Sequence, residues 1–498
     1  AYTSAPLDPD NPNRIIIRLP KQLEFKDDRG VPVVAQLLMN TYGLVDGGFQ
    51  FIKKLDGHLA KMGMEPSRND HNLHRRYNEH GEIQLYAGYS DDGTGLFSSH
   101  DEYIKFTEEL ESAPFKLGLK GIQEETLGCK ITQAGWTKEI GSLGDPGHIP
   151  GRVNDVSPGC NFVALSQPGL IAEILLIAGF AGKDSYVKPV QVPLTAAVSK
   201  QLDETIPSRK ALIKSIAKIR AATTKGASYQ DIADAEDPFA AVDDLDETNI
   251  PMTEEERAEF AILHPTFGVH YRTLVGKLLY LSRLSRPDIA TAVSILSRYN
   301  SEPGIWALRG MKSLCRYLLG TPRLGITYLE PPNGEELEVR FYSDSNYPIG
   351  AARLGYVAMI GWTNSQGEFH GRALDWHSKV SATTSNSTAE AELYAAFHSI
   401  CRALAIRKDL EHAGVIPKGK PCRIFEDNSA VCSQFNSPLL ESKLKWINNK
   451  YLRVIELVAS GDITVEHVSG TNNVSDTMTK GTIPHKEFVR YRKEMMGQ

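Results

Sequence analysis

The stretch ELEVRFYSDSN (336–346) opens the run of segments that decides the fold of the C-terminal third of the chain. YVAMIGWTN (356–364) and ALDWHSK (373–379) follow it, and turn residues separate the three segments, as in successive β-strands. Downstream, the pattern predicts a long helix, a fourth strand, a second helix and a fifth strand, at 387–414, 422–428, 437–460 and 462–468. This order of elements predicts a mixed sheet with helices packed on it.

The residues upstream of this pattern divide into two further regions. Residues 1–135 alternate short apolar runs with turn signals, and EIQLYAGYSDDGTGLFSS (82–99) predicts two strands joined by a tight turn. Helical periodicity marks three later stretches, at 271–284, 287–300 and 303–320. The length of 498 residues predicts two to four domains, at about 100–200 residues each. We therefore expect an α/β chain of several domains, of the α+β multidomain type.

The overall composition is that of a globular protein. Apolar residues make up 41% of the chain, charged residues make up 23% and the net charge is −6, which excludes collagen-like, wholly disordered and disulfide-stapled chains. The six cysteines include no CxxC pair, which predicts reduced thiols and an intracellular location in the cytoplasm or nucleus. The longest apolar run, 170–182, is shorter than the roughly 20 residues that cross a bilayer, so we expect no membrane partner.

The charge is unevenly distributed along the chain. Residues 231–259 contain twelve acidic residues and a single basic one, Arg257, so the rest of the chain is mildly basic. This balance permits a nucleic-acid partner without requiring one. The composition of the acidic segment favours a solvated linker, and the alternative is an acidic mimic that competes for a basic groove.

Four carboxylates lie on four different predicted elements of the C-terminal third, where the order of the elements brings them towards one edge of the sheet. They are Asp344 in the first strand, Glu392 on the long helix, Asp427 at the end of the fourth strand and Asp476 at the start of the final helix. Such a cluster binds hard divalent cations through oxygen, and two Mg²⁺ ions about 4 Å apart support phosphodiester hydrolysis. His467 lies nine residues before Asp476 and is a candidate for proton transfer.

The motifs around these carboxylates resemble one known family. The C-terminal third is similar to the ribonuclease H domain of Ty1/copia-type retrotransposons in four segments, YSDSNY (342–347), STAEAELYA (387–395), FEDNSAV (425–431) and NNVSDTMTK (472–480). The resemblance implies that Asp344, Glu392, Asp427 and Asp476 hold two Mg²⁺ ions. It also implies a substrate, RNA in an RNA–DNA hybrid or RNA alone, that the enzyme cleaves endonucleolytically.

The resemblance continues upstream into the reverse transcriptase of the same family. The similar segments are MNTYGLVDGGFQFIKKLD (39–56), GYSDDGTG (88–95), TLGCKI (126–131) and YRTLVGKLLYLSRLSRPDIATAVSILSRY (271–299). Asp91 and Asp92 stand at the Tyr-Val-Asp-Asp position, as a remnant of the polymerase site. The resemblance implies three domains: a partial palm without fingers at 1–135, a helical thumb and connection at 136–330 with an acidic insertion at 195–262, and a ribonuclease H-like domain at 331–498.

The palm segments depart from the family pattern in three places, one of which is Ser90, where the family has a branched apolar residue beside the metal acids. The family carries a metal-binding Asp a few residues before the position where AYTSAP begins this chain, and LVDGGFQF (44–51) replaces cationic and template-contacting positions. A polymerase site needs both sets of carboxylates to hold its metals. We therefore expect no primer extension by this chain alone, unless a separate N-terminal chain supplies the fingers and the first palm Asp.

Two other groups of residues allow a functional and a structural interpretation. Lys443, Lys445, Trp446 and Lys450 form either a nucleic-acid-binding helix face or the solvated side of an amphipathic helix. His71, His74 and His80 lack the spacing and the cysteine partners of a typical zinc site.

For the whole chain, the sequence leaves three hypotheses open. The first is an active ribonuclease H. The second is a domesticated, catalytically silent scaffold or assembly subunit, and the third is one half of a split reverse transcriptase.

Overall fold

The computed structural model describes residues 16–18, 34–36, 47–89, 92–113, 125–134, 162–180, 187–204, 252–346, 352–381, 388–437 and 448–497. The chain forms two compact units. The first contains residues 1–126 and 405–418, and the second contains residues 127–404 and 419–498. The division predicted from the sequence, with boundaries near residues 135 and 330, stays a prediction.

The first unit is built of helices and short antiparallel strands. Its strands are β1 (Ile16–Arg18), β2 (Val34–Gln36), β3 (Glu65–Pro66), β4 (Leu73–Tyr77), β5 (Ile83–Tyr89), β6 (Asp92–Leu96) and β7 (Glu125–Thr126). Its helices are α1 (Gly47–Lys61) and α2 (His100–Glu111). The strands β3 to β6 form one sheet in sequence order, and β5 and β6 make the predicted hairpin. Phe51, Leu59 and Phe106 close its core against Tyr86 of β5.

A helical layer makes up much of the second unit. It contains α3 (Pro168–Ile177), α4 (Ala196–Glu204), α5 (Glu254–Leu263), α6 (Tyr271–Leu284), α7 (Ala290–Leu296) and α8 (Ile305–Gly320). The three helices predicted between residues 271 and 320 are present, although the middle one is shorter because 3₁₀ turns flank it, at Pro287–Ile289 and Ser297–Tyr299. Three further strands, β8 (Cys129–Ala134), β9 (Phe162–Ser166) and β10 (Ile326–Leu329), pair antiparallel with β9 in the centre.

The C-terminal part of the second unit contains the predicted mixed sheet. Its strands are β11 (Glu338–Asn346), β12 (Arg353–Thr363), β13 (Phe369–Val380), β14 (Cys422–Glu426) and β15 (Ile463–His467), in the order β13-β12-β11-β14-β15. The pairs β11–β12 and β12–β13 are antiparallel, whereas β11–β14 and β14–β15 are parallel. The order of α-helices and strands confirms the predicted α/β class.

The helices of this part are α9 (Thr388–His412), α10 (Ser429–Phe435), α11 (Asn448–Ala459), α12 (Asp476–Thr479) and α13 (His485–Met496). Helix α10 was not predicted from the sequence, which placed the fourth strand at 422–428 and no element between that strand and residue 437. The chain turns there because the Asn428 side chain accepts hydrogen bonds from the backbone N–H groups of Ala430 and Val431 and caps the helix. Of the helix predicted at 437–460, residues 438–447 lie outside the described residues. No helix in the described part of the chain is both long and apolar enough to span a membrane.

One hydrophobic core joins the upstream helices to one face of this sheet. Trp376 of β13 is buried in that core, and its indole N–H donates to the Ser282 carbonyl of α6 over 2.7 Å. Tyr328 of β10 donates to the Ala373 carbonyl of β13 over 2.7 Å. Each of these aromatic side chains buries a large apolar area and also makes a hydrogen bond. The two contacts therefore hold the helices against the sheet.

Part of the acidic insertion at 195–262 is regular structure. Helix α5 begins with a capping box, in which Thr253 and Glu256 exchange hydrogen bonds with each other's backbone N–H groups. Arg309 of α8 pairs with Glu259 over 2.7 Å. The interpretation of 231–259 as a solvated linker is therefore wrong for residues 254–259, because helix capping and an ion pair order them; residues 231–251 lie outside the described part.

A buried ion pair fixes the turn between α6 and α7. Arg286 and Asp288 are both fully buried, and the guanidinium donates to the two carboxylate oxygens over 2.8 Å each. Tyr317 of α8 donates to Asp288 over 2.6 Å, and Arg286 donates to the Thr321 carbonyl over 3.0 Å. Burial acts to raise the pKa of Asp288, but the Arg286 charge and these hydrogen bonds outweigh it and hold the pKa below its ordinary value.

Replacing Asp288 tests this pair. Asp288→Asn leaves the buried guanidinium uncompensated and is expected to lower the free energy of unfolding by about 3–5 kcal/mol. Urea denaturation followed by tryptophan fluorescence measures the change. The control is Glu456→Gln, which breaks the exposed Arg453–Glu456 pair and should leave the midpoint nearly unchanged. Equal urea midpoints for Asp288→Asn and Glu456→Gln would contradict the large contribution to stability that we assign to the buried Arg286–Asp288 pair.

A stack of rings on the other face of the sheet predicts a pH dependence. The rings of His377 and His398 stack at 5.2 Å, beside Tyr356. Burial lowers the pKa of His377 to about 4, and His398 and the cation of Arg283 act in the same direction. Between that value and the unfolded-state value of about 6.5, the unfolded chain binds a proton that the folded chain does not.

The contribution of neutral, buried His377 to the free energy of unfolding is fully present above a pH of about 6.5 and is lost as the pH falls towards 4. His377→Phe keeps a ring in the stack without a titrating group. We expect this variant to show a shallower loss of stability over that pH range in thermal melts. If the dependence of the melting temperature on pH is the same in His377→Phe as in the wild type, the neutral state of His377 in the folded protein is contradicted.

Candidate active site

Three carboxylates meet at one edge of the five-stranded sheet. Asp344 lies near the end of β11, Glu392 lies in the second turn of α9, and Asp427 follows directly after β14. Each offers an oxygen atom, and these atoms lie within 4.8 Å of one another. Asp344 is buried, while Glu392 and Asp427 are half-buried. The parallel pairing of β11 with β14 places the ends of both strands at the same edge, which explains the meeting of residues 83 positions apart.

The electrostatics of this group are unfavourable without a cation. Burial raises the pKa of Asp344 to about 7, against a hydrogen bond from Thr479 that favours the charged form. Burial, together with the charges of Asp344 and Asp427, raises the pKa of Glu392 to about 8. Like charges held this close repel each other unless a proton or a cation lies between them.

Asp476 reaches the same region from α12. Its carboxylate forms an ion pair with Lys480, with 2.7 Å between the Asp476 Oδ2 and Lys480 Nζ atoms. Burial raises the pKa of Asp476, and Lys480 opposes that effect. Asp476 is not part of the close group of three, although its charge acts on Asp344. The structure therefore brings all four predicted carboxylates to one region, and oxygen atoms of three of them lie within 4.8 Å of one another.

The position of α12 depends on a glycine. Gly355 of β12 pairs with Asp344 of β11, and a Cβ atom there would lie 2.6 Å from the Met478 Cβ and 2.7 Å from the Thr479 Cγ2. Only glycine lets α12 approach the sheet this closely. Asn473 then donates to the Ser343 carbonyl over 2.9 Å and ties the segment before α12 to β11.

The donor set fits a hard divalent cation. All the ligand atoms are carboxylate oxygens, which are the ligands that Mg²⁺ prefers. The Glu392 Oε2 and Asp476 Oδ1 atoms are buried and have no hydrogen-bond partner among the described residues. A buried carboxylate oxygen without a partner is costly, and a cation bound at such an atom would offset that cost. Asp344, Glu392 and Asp427, with Asp476 beside them, are therefore the residues that would hold the metal.

Comparison with known proteins places this geometry in context. The chain is 32% identical over 215 residues to the retrovirus-related Pol polyprotein from transposon RE1 of Arabidopsis thaliana, which covers 43% of this chain and 14% of the relative. It is 26% identical over 264 residues to the Pol polyprotein from transposon TNT 1-94 of Nicotiana tabacum, which covers 52% of this chain and 18% of the relative. Homologues of this chain thus include Pol polyproteins of Ty1/copia-type retrotransposons.

The chain spans less than a fifth of the length of those two polyproteins. No family model matches the chain. Among solved structures, it is similar to the N-terminal RNase H domain of Rv2228c from Mycobacterium tuberculosis, fused to maltose-binding protein. That similarity has a TM-score of 0.21 and 12% identity, and it covers 32% of this chain and 98% of the other.

Two side chains beside the acidic group were not predicted from the sequence, Glu426 and Thr479. Glu426, next to Asp427, is fully buried, accepts a hydrogen bond from the Ser343 hydroxyl over 2.7 Å, and has a pKa that burial raises well above its ordinary value. Thr479 donates to Asp344 from α12. Glu426 is the last residue of β14 and directly precedes Asp427, so the FEDN segment contains a local signal for it. The Thr479 contact has no local signal, because it depends on the packing of α12.

His467 lies at the end of β15 and is exposed. Its Nε2 atom lies 3.2 Å from the backbone carbonyl of Asp427. The structure therefore places this predicted proton carrier beside the acidic group, with its ring held by the main chain rather than by a carboxylate.

Of the predicted nucleic-acid-binding residues, Lys443, Lys445 and Trp446 lie outside the described residues. Lys450 is exposed, and its ammonium lies 4.4 Å from the ring centroid of Tyr394 and 5.6 Å from that of Phe397. This cation–π contact leaves the charge at the surface while anchoring the side chain.

The predicted polymerase remnant lies in the first unit. Asp91 lies outside the described residues, and the backbone of Asp92 begins β6 opposite Tyr89. Among the histidines, His74 is buried and lies 3.5 Å from Asp56. Within the described part of the chain, the acidic group is the one set of three that meets metal-ligand distances, so His71, His74 and His80 form no such set.

A substitution at Gly355 tests the approach of α12. Gly355→Ala forces α12 away from the sheet and is expected to cost about 1–3 kcal/mol of stability. It should also weaken Mg²⁺ binding, because Thr479 and Asp476 move with the helix. Calorimetric melting and a Mg²⁺ titration measure the two effects.

The matched control for this substitution is Gly276→Ala in α6. A Cβ there meets no atom within 4 Å, and the helix should gain about 0.5–1 kcal/mol. Unchanged Mg²⁺ binding in a folded Gly355→Ala protein would contradict the role assigned to α12.

Proposed function

We propose that the chain is a retrotransposon-derived ribonuclease H that cleaves RNA in RNA–DNA hybrids with Mg²⁺. The observation that supports it is the meeting of Asp344, Glu392 and Asp427 within 4.8 Å at the edge of a mixed sheet. Oxygen-only ligands with raised pKa values are typical of a two-metal phosphodiesterase site. The sequence relatives named above are Pol polyproteins of transposons, which supports the origin of the chain in a retrotransposon.

In this proposal each side chain has a separate task. When bound, Mg²⁺ activates a water molecule and stabilises the leaving oxygen. Asp344, Glu392, Asp427 and Asp476 hold two ions, and the Thr479 hydroxyl orients the Asp344 carboxylate. Lys480 partly neutralises Asp476 and so limits the net negative charge that a phosphate must approach.

His467 is the proposed proton carrier. It is exposed beside Asp427, where it can exchange protons with solvent while its ring stays near the site. Lys443, Lys445, Trp446 and Lys450 are proposed to contact the hybrid, because cations neutralise phosphates and an aromatic ring stacks on bases.

The proposed activity is tested with the full chain and a labelled RNA–DNA hybrid. Asp427→Asn removes one metal ligand and is expected to reduce Mg²⁺-dependent cleavage by about a hundredfold or more, with little change in melting temperature. Glu487→Gln, an exposed acid of α13, is the matched control and should cleave like the wild type. Removal of the metal with EDTA should abolish cleavage.

Two outcomes would reject this function. One is a wild-type chain that binds Mg²⁺ but cleaves neither a hybrid nor RNA, which would favour a scaffold. The other is equal cleavage by the wild type and Asp427→Asn, which would place the activity in a contaminant or in another site.

A further inference from the structure

A residue of the upstream helical layer contacts the segment that carries Asp476. Thr291 lies on α7, is only 4% exposed, and its hydroxyl Oγ1 lies 2.6 Å from the backbone carbonyl of Thr477 on α12. The same oxygen lies 3.2 Å from the hydroxyl of Ser378 on β13. Thr291 lies outside every motif that the sequence analysis associated with cleavage.

The direction of these hydrogen bonds follows from their donors. The guanidinium of Arg353 has no acceptor atom, and its Nη1 donates to Ser378 over 3.2 Å and to Ser294 over 2.8 Å. A hydroxyl carries a single proton, so Ser378 donates to Thr291 and Thr291 donates to the Thr477 carbonyl. A chain of three hydrogen bonds thus runs from β12 to α12, and Thr291 makes its last link.

Few hydrogen bonds within helix α12 itself hold it in place, so its position depends on contacts with other elements. It is one turn long, Asp476–Thr479, and a helix this short leaves most of its carbonyl groups without intrahelical partners. Thr477 lies between the two residues that act at the acidic group: Asp476 before it and Thr479, the donor to Asp344, after it. A shift of the Thr477 carbonyl therefore moves both groups.

We propose that Thr291 is a positioning residue for the divalent-cation site, which it orients through the Thr477 carbonyl. The inference rests on the metal site of the proposed function. It goes beyond that site because it assigns a determinant of metal affinity to the helical region upstream of residue 331. The nuclease then depends on α7 for its chemistry as well as for the burial of its sheet.

The experiment uses the full chain and compares Thr291→Val with Thr291→Ser. Valine keeps the volume and removes the donor, whereas serine keeps the donor and removes a methyl group. For Thr291→Val we expect the Mg²⁺ dissociation constant, measured by titration calorimetry, to rise about tenfold, as other indirect contacts to metal ligands show. We expect kcat for hybrid cleavage to fall while KM stays the same, and Thr291→Ser to restore both.

A matched control is Thr107→Val in the first unit. Thr107 is also buried and also donates to a backbone carbonyl, that of Ile104, over 2.7 Å. Its replacement should leave Mg²⁺ affinity unchanged. Should Thr291→Val fail to fold, Ser378→Ala removes the preceding link of the chain and is expected to weaken Mg²⁺ binding in the same direction.

The outcomes separate this inference from the proposed function. A folded Thr291→Val protein with wild-type Mg²⁺ affinity overturns the inference even if the wild type cleaves hybrids. Weaker Mg²⁺ binding by Thr291→Ser than by Thr291→Val also overturns it, since packing would then be the cause. Weakened Mg²⁺ binding by Thr291→Val, restored in Thr291→Ser, supports the inference even if the wild type cleaves nothing. Absence of Mg²⁺ binding by the wild type overturns both.

Discussion

The parallel pairing of β11 with β14 is the constraint on which the acidic site depends. Parallel neighbours end at the same edge of a sheet, so Asp344 near the end of β11 and Asp427 just beyond β14 meet although helix α9 and 83 positions of chain separate them. The connection from β11 to β14 runs through β12, β13 and α9, and the second turn of α9 carries Glu392. Strand pairing and this connection together therefore place all three carboxylates.

The close placement of these carboxylates lowers the stability of the folded protein. Three carboxyl groups within 4.8 Å are brought out of water, and the pKa values of about 7 for Asp344 and about 8 for Glu392 record the cost. The surrounding structure has to hold the groups together against this repulsion. The Thr479 hydroxyl and the close approach of α12 over Gly355 are parts of the fold that do so.

The support for α12 extends further than the sheet. Buried residues of the upstream helices and of one sheet face form one continuous core, in which Trp376 and Tyr328 donate hydrogen bonds to buried carbonyl groups. The fully buried pair of Arg286 and Asp288 fixes the turn from which α7 starts. A rigid α7 matters because Thr291 then presents its hydroxyl to α12 at a defined position, so the proposed nuclease and the helices before it work as one structure.

The sequence by itself determined the element order of the C-terminal third, the mixed sheet and the four candidate carboxylates, because alternation, turn residues and acidic positions are local signals. It also determined the three upstream helices, whose apolar spacing is local as well. Helix α10 escaped prediction because its start depends on one capping side chain, Asn428. Only the tertiary structure decided which carboxylates come within ligand distance and which, like Asp476, stand beside them. It alone assigned roles to Thr479, Gly355 and Thr291, since each acts through a contact with residues distant in sequence, and no local pattern encodes such a contact.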